Sequence, residues 1–193
     1  TIIPSKTALV DVLDVGQGLS VIVRTEKHVL VYDTGSQSPS GFNMGDAALI
    51  PYLIANQVNS IDTIIISHGD NDHIGGLQAI LNNFTIGRIL SSVPNKIARP
   101  SELCYSGQSW NWDGVQFDIL SPENNTSLKG NNASCVLKIS SENGSLLLTG
   151  DIEKKAEKNR FIKMFQLFFI VTAEKSTHHY RDAYFHADSI SAI

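Results

Sequence analysis

Ala8-Leu-Val-Asp-Val-Leu-Asp-Val15 alternates imperfectly between apolar and acidic positions, and Leu19-Ser-Val-Ile-Val-Arg24 resumes the pattern after Gly16-Gln-Gly18. Two period-two runs joined through a glycine-rich break predict a β-hairpin. A turn at Glu26-Lys27-His28 leads into a third strand, Val29-Leu-Val-Tyr32, which ends at Asp33-Thr-Gly35. Ser36 to Gly45 is rich in Ser, Gly and Pro and reads as a loop. Asp46 is expected to cap a helix from Ala47 to Asn56, with Pro51 kinking it. Ile64 to Ile66 is a β-branched triplet with no polar face, the pattern of a strand buried on both sides. After a polar loop, Leu77-Gln-Ala-Ile-Leu81 opens a second helix.

Ile86-Gly-Arg-Ile-Leu90 predicts a short strand, and Ser91 to Gln108, with Pro94 and Pro100, an irregular stretch. Val115-Gln-Phe-Asp-Ile-Leu120 alternates cleanly. Ser134 to Ser140 and Ser145 to Thr149 form another hairpin across Glu142-Asn-Gly144, an Asn-Gly turn signal. Its second strand delivers Gly150-Asp151. Trp110 and Trp112 sit two apart on a possible strand and share a side, where core packing is expected ahead of stacking on nucleic-acid bases. Strands come first as hairpins and then with helices between them. That order fits two sheets with helices on their outer faces.

The 193 residues suit one domain and suffice for a real core. A composition of 42% hydrophobic and 18% charged residues is that of an ordinary globular chain. The net charge of -4 gives no broad basic surface for nucleic acid, although two divalent ions would reverse the field locally. Phe161 to Val171, the longest apolar run, is too short to span a bilayer and contains Lys163 and Gln166. The opening Thr1-Ile-Ile-Pro-Ser has neither Met nor a signal-peptide pattern and suggests a piece of a larger protein. Cys104 and Cys135 lack Cys-x-x-Cys spacing, which leaves two buried thiols or one disulfide.

The chemistry concentrates behind Ile64 to Ile66. His68, Asp70, Asp72 and His73 place four potential metal ligands within six residues, on the loop that leaves the strand. Two imidazoles and two carboxylates brought to one point suit Zn²⁺ or Mn²⁺; the bland alternative is a polar turn that leaves both histidines unexplained. Asp151, also at a strand end, would complete a two-metal site of the kind that hydrolyses phosphodiesters, esters or amides. With Asp carboxylates outnumbering imidazoles, the balance shifts slightly from Zn²⁺ toward Mn²⁺.

Ser67-His-Gly-Asp-Asn-Asp-His-Ile-Gly-Gly76 resembles the metal motif of the metallo-β-lactamase fold, with Asp70 in place of the usual second His. Leu13-Asp-Val-Gly-Gln-Gly18, Tyr32-Asp-Thr-Gly35, Trp110-Asn-Trp-Asp-Gly-Val115, Asn131-Asn-Ala-Ser134 and Leu147-Leu-Thr-Gly-Asp-Ile-Glu153 follow the order found in the C-terminal metallo-β-lactamase-like domain of the ComEC competence family. The resemblance covers residues 7–157. It implies a four-layer αββα sandwich, incomplete at its C-terminus, and a metal-dependent hydrolase acting as a nuclease during competence-linked DNA uptake. Its parent would be a membrane channel importing single-stranded DNA, with this domain soluble on the extracytoplasmic side of the bacterial envelope and acting on the strand not imported. No small organic cofactor is implied. His68, Asp70, Asp72, His73 and Asp151 are the implied ligands of one or two divalent ions. Asp70 and Asp72 are the catalytic carboxylates, Asp72 orienting the attacking hydroxide. Asp33 and Gln17 are implied supports, and Asn132 and Ser134 (with Asn131) substrate contacts or turn residues.

The resemblance fades beyond residue 157. The family continues to Pro-His-His-Gly-Ser, where this chain has Thr177-His-His-Tyr180 without the flanking residues, and Tyr184-Phe-His-Ala187 matches nothing familiar. His178 and His179 are therefore expected to supply a last ligand from a divergent end, to lie in a truncated or frame-disrupted end that leaves a second metal weakly held, or to be simply exposed on an end that folds differently. Two other functions stay open: hydrolysis of a small ester, amide or phosphodiester, and a degenerate, non-catalytic DNA-binding or assembly module.

Overall fold

The computed structural model describes residues 2–142 and 144–152, together with the backbone of two short strands nearer the C-terminus. Leu9–Val12 (β1), Val21–Arg24 (β2) and Val29–Tyr32 (β3) pair antiparallel as the alternation predicts, with Leu9 opposite Arg24 and Val21 opposite Tyr32. From β3 the sheet turns parallel through Ser60–Ile66 (β4), Thr85–Ser91 (β5) and Glu102–Leu103 (β6). Ser109–Trp112 (β7), Val115–Ser121 (β8), Val136–Ser141 (β9) and Gly144–Leu148 (β10) build a second, antiparallel sheet. Phe169–Val171 (β11) runs parallel to β10, and Tyr184–Phe185 (β12) closes the first sheet beside β1. Sheet orders are β12-β1-β2-β3-β4-β5-β6 and β11-β10-β9-β8-β7.

Burial follows the two-residue period of the strands. Val21, Val23, Leu30, Tyr32 and Ile65 face Phe117, Ile119, Leu137, Ile139 and Leu148 of the second sheet. The intervening residues Ile22, Val31, Ile64 and Ile66 face the other way, onto Leu49, Leu53, Leu77 and Ile80 of the helical layer. β4 is thus apolar on both faces, as Ile64 to Ile66 announced. Trp110 and Trp112 pack on the inter-sheet core, Trp110 stacked on Phe117 at 5.3 Å, which is the core role expected of them. Three layers (helices, sheet, sheet) therefore lie within the described residues.

Two local readings change. The capping contact before the first helix comes from Asn43, not Asp46: Asn43 Oδ1 accepts the Asp46 N–H at 2.9 Å, and its Nδ2 donates to the Asp46 carboxylate at 2.7 Å. The helix itself begins as a wide turn, Gly45–Leu49, and narrows into Ile50–Ala55 (α1), with Pro51 at the junction where its missing N–H costs least. Ser91 to Gln108 is less irregular than its prolines suggested, since it contains β6. Asp113-Gly114, with positive φ angles of 51° and 85°, closes β7 onto β8 through a two-residue turn additional to the hairpins expected from the sequence. The Asp113 carboxylate accepts from Thr25 Oγ1 (2.6 Å), Lys27 N (2.9 Å) and His28 Nδ1 (3.0 Å), tying this turn to the β2–β3 turn of the opposite sheet. Burial opposes its charge, yet those donors prevail and hold its pKa down at about 2.

Cys104, just after β6, forms a disulfide with Cys135, just before β9, with Cα atoms 6.1 Å apart. The open question about the cysteines resolves to a staple between the two sheets. Tyr32 adds a second tie, donating from its hydroxyl to Cys135 O at 2.6 Å.

Candidate metal centre

The carboxyl ends of parallel strands share one edge of the sheet, and loops leaving them converge there. β3 ends in Asp33; β4 ends in Ser67, His68 and the short helix Asn71–Ile74 (α2), followed by Leu77–Asn83 (α3). From the second sheet, the end of β10 brings Asp151 to the same edge. The ligand atoms of His68, His73 and Asp151 all lie within 4.8 Å of one another. His73 Nε2 is 3.2 Å from Asp151 Oδ1, and His68 Nε2 is 4.0 Å from Asp151 Oδ2, so each imidazole faces its own carboxylate oxygen.

Asp33 organises the cluster from beneath. Fully buried, with a left-handed φ of 58°, it accepts the Ser67 N–H on Oδ1, and the Ser67 hydroxyl and the His73 Nδ1–H on Oδ2, each at 2.7 Å. Since the Ser67 hydroxyl proton goes to Asp33, Ser67 Oγ is left to accept from His68 Nδ1 at 3.0 Å. Both imidazoles therefore carry a proton on Nδ1 and turn Nε2 toward the cluster. Both Nε2 atoms are buried; that of His68 makes no hydrogen bond, and that of His73 is paired with Asp151. Buried imidazole nitrogens turned to one point beside a carboxylate are the donor set a divalent metal requires once His73 gives up its proton, and Asp33 is the outer carboxylate that orients them. The residues fit the group that the motif implies.

Charge in the cluster is uneven. Burial and the neighbouring His73 hold the His68 pKa below its ordinary value. Burial opposes the charged form of His73 as well, but Asp151 and Asp33 outweigh it and push its pKa up to about 10. A metal must displace that proton. Apparent affinity is therefore expected to climb about tenfold per pH unit from neutrality toward pH 10, with about one proton released per ion bound. Titration calorimetry in buffers of different ionisation enthalpy checks this; a flat affinity with no proton release would show His73 already neutral.

The remaining expected ligands sit around this nucleus. Asp70 is exposed, with Oδ2 3.6 Å from His68 Nε2. Asp72 stands outside the tight cluster, its Oδ2 met by Gln17 Nε2 at 3.5 Å. Its backbone carbonyl accepts the Leu19 N–H, and the Gly16-Gln-Gly18 loop lies against it. Gly18, at a φ of 115°, approaches so closely that a Cβ would stand 2.0 Å from Asp72 O. Gly150 plays the same part for Asp151: its φ is 56°, and a Cβ there would sit 2.8 Å from Ser67 Oγ. Ser134 is spent on a turn, donating to Asn131 O at 2.7 Å, while Asn132 Oδ1 is buried without a hydrogen-bond partner. His178 and His179 lie outside the described residues.

Ser67 is the residue that sequence reasoning passed over. It stands immediately before His68 in the same motif, yet only the fold reveals that its hydroxyl relays Asp33 to His68 and that its carbonyl accepts from Cys135 N and Ser92 Oγ, both at 2.8 Å.

The metallo-beta-lactamase superfamily pattern matches residues 13–190 of the chain. Competence protein ComA of Neisseria gonorrhoeae is 36% identical over 157 residues, covering 81% of this chain and 22% of that protein. Recombination protein 2 of Haemophilus influenzae is 39% identical over 150 residues, covering 77% and 19%. The chain thus spans about a fifth of the length of the curated relatives it matches. Among solved structures, a metallo-β-lactamase of Cronobacter sakazakii superposes with a TM-score of 0.60 at 13% identity, over 81% of this chain and 72% of that one. At that identity the likeness concerns the fold alone.

Proposed function

The chain belongs to the metallo-β-lactamase superfamily, and we propose that it is the metal-dependent hydrolase domain of a larger competence-type protein, cutting phosphodiester bonds of DNA. The observation that carries this reading is the pair of buried imidazoles, His68 and His73, whose Nε2 atoms each face an oxygen of Asp151 at 4.0 and 3.2 Å. His68, Asp70, Asp72, His73 and Asp151 would hold one or two divalent ions, Mn²⁺ or Zn²⁺. The chemistry such an ion supplies is Lewis-acid stabilisation of phosphoryl charge and a water that ionises near neutral pH.

The chain's own residues do the rest. Asp33 and Ser67 keep both imidazoles in the tautomer that presents Nε2. Gln17 steadies the Asp72 carboxylate, which is placed to orient an attacking water and take its proton. Asp70 stands open to solvent beside His68.

The relatives named for competence and recombination point to DNA as the substrate, presented by the membrane channel of the same parent protein. The disulfide supports a position on the extracytoplasmic side of the envelope, because such bonds persist in oxidising compartments. No helix among the described residues is long and apolar enough to cross a membrane.

Labelled single- and double-stranded DNA incubated with the chain in Mn²⁺ and in Zn²⁺ tests the proposal. Strand cleavage that a chelator abolishes supports it. Turnover of a small ester, amide or phosphodiester with DNA left intact would overturn it, as would metal content below one ion per chain under saturating conditions.

A further inference from the structure

The loop that follows β5 leaves the sheet beside the metal loop, because β4 and β5 are parallel and Ile66 lies opposite Ser91. Two bonds staple the loops together at once: Ser92 Oγ donates to Ser67 O at 2.8 Å and Ser92 N to Ile66 O at 3.4 Å. A single turn, Pro94–Lys96, follows, and Ser101 Oγ donates to Pro94 O at 3.3 Å to hold it down. That turn ends in Lys96, whose Nζ donates to the carbonyl of Gly69 at 2.9 Å. Gly69 is the residue between His68 and Asp70.

Gly69 has no left-handed backbone to explain why it is glycine. Space explains it: a Cβ would stand 2.7 Å from Lys96 Nζ, 3.0 Å from Cδ and 3.1 Å from Cε. The aliphatic stem of Lys96 therefore lies across the metal loop against Gly69, where a larger residue would make it shift. Lysine usually spends its length reaching into water, and here it is folded back onto the ligand-bearing backbone instead. One of its three ammonium protons is used on Gly69 O. Lys96 is otherwise exposed and makes no ion pair among the described residues. The result is an exposed positive charge beside the ligand-bearing loop, in a chain whose net charge is -4.

We infer that Lys96 is a substrate-positioning residue: its ammonium, pinned to Gly69 O, receives a backbone phosphate of the nucleic-acid strand next to the one being cut. The inference rests on the nuclease reading above and sharpens it, since it specifies a polyanionic strand rather than a small neutral ester. A residue that neutralises one phosphate leaves a signature in salt dependence that a merely structural lysine does not. Each contact contributes about 0.7 to the slope of log K against log salt for a single strand and about 0.9 for duplex DNA.

The test measures binding of a short labelled single strand, made with slowly cleaved phosphorothioate linkages, by fluorescence anisotropy across a salt series with the Mn²⁺-loaded full chain. Lys96→Met is expected to weaken binding several-fold at low salt and to lower the slope by about 0.7, with metal content and melting temperature unchanged. Lys96→Arg is expected to restore the slope, because it keeps the charge. In hydrolysis, Lys96→Met raises KM for an oligonucleotide more than it lowers kcat. A Lys96→Met slope equal to that of the original chain overturns the inference, and so does weakened binding that follows loss of metal. Binding without cleavage in any metal would sink the nuclease reading while leaving the Lys96 measurement interpretable. Absence of any binding by the original chain would sink both.

Discussion

The Asp72→Ala/His73→Ala chain is expected to lose metal-dependent DNA hydrolysis by about a thousandfold or more, while remaining folded. Metal stabilisation of transition-state charge is worth several kcal/mol, and about 4 kcal/mol corresponds to about a thousandfold in rate. His73 is wholly buried, with Nε2 3.2 Å from Asp151 Oδ1, so its removal takes away a ligand position and an anchor for the acid beside it. Asp72 sits on the opposite flank, within reach of Gln17. Asp33 loses its His73 partner but keeps both Ser67 donors in this variant, so the fold should survive with a lowered melting temperature. Metal analysis, far-ultraviolet circular dichroism and strand cleavage together decide the matter. Full cleavage by the folded variant would sink this assignment of the site.

Asp33→Ala is expected to damage the protein differently, through stability as well as through metal. Three donors converge on this buried carboxylate, and truncating it strands all three away from water. Removing one partner of a buried charged pair costs about 3–5 kcal/mol, and Ala also tolerates the φ of 58° less well than Asp. Losing the outer partner of a metal-binding imidazole typically costs about 10–100-fold in affinity. Asp33→Asn separates the two effects: it retains the backbone preference and an acceptor oxygen but lacks the charge that favours an Nδ1-protonated His73. Thermal melts should place Asp33→Asn between the original chain and Asp33→Ala, with metal affinity reduced in both. Unaltered metal affinity in Asp33→Asn would mean that the tautomer does not depend on Asp33.

Much of this arrangement is visible in the residue order because its causes are local. Alternation in Val115 to Leu120 and the unbroken Ile64 to Ile66 reflect a period-two backbone with one or two buried faces, and the structure places them so. The spacing of His68, Asp70, Asp72 and His73 works within one loop, where the distance along the chain limits the distance in space. Elsewhere local signals competed and the wrong one was favoured. Asp46 and Asn43 are both good capping residues, and three residues separate them; the bond direction depends on how the loop from Ser36 enters the helix. Asp113-Gly114 carried a hairpin signal of its own, between Trp112 and Val115, and its tie to Thr25 and His28 had no local sign at all.

From the order of its residues alone, this chain could be seen to hold hairpins, a doubly buried strand and a ligand-dense loop at that strand's end, since each depends on neighbours only a few positions apart. Tertiary structure alone decided that Asp33, 34 residues before Ser67, is the carboxylate that fixes both histidines, that Cys104 and Cys135 join the two sheets, and that Lys96 folds back onto Gly69. Each of these is a contact between separate strand ends. Such contacts exist only once the strands have paired and the two sheets have packed on each other, and nothing in the intervening residues encodes which side chain will meet which.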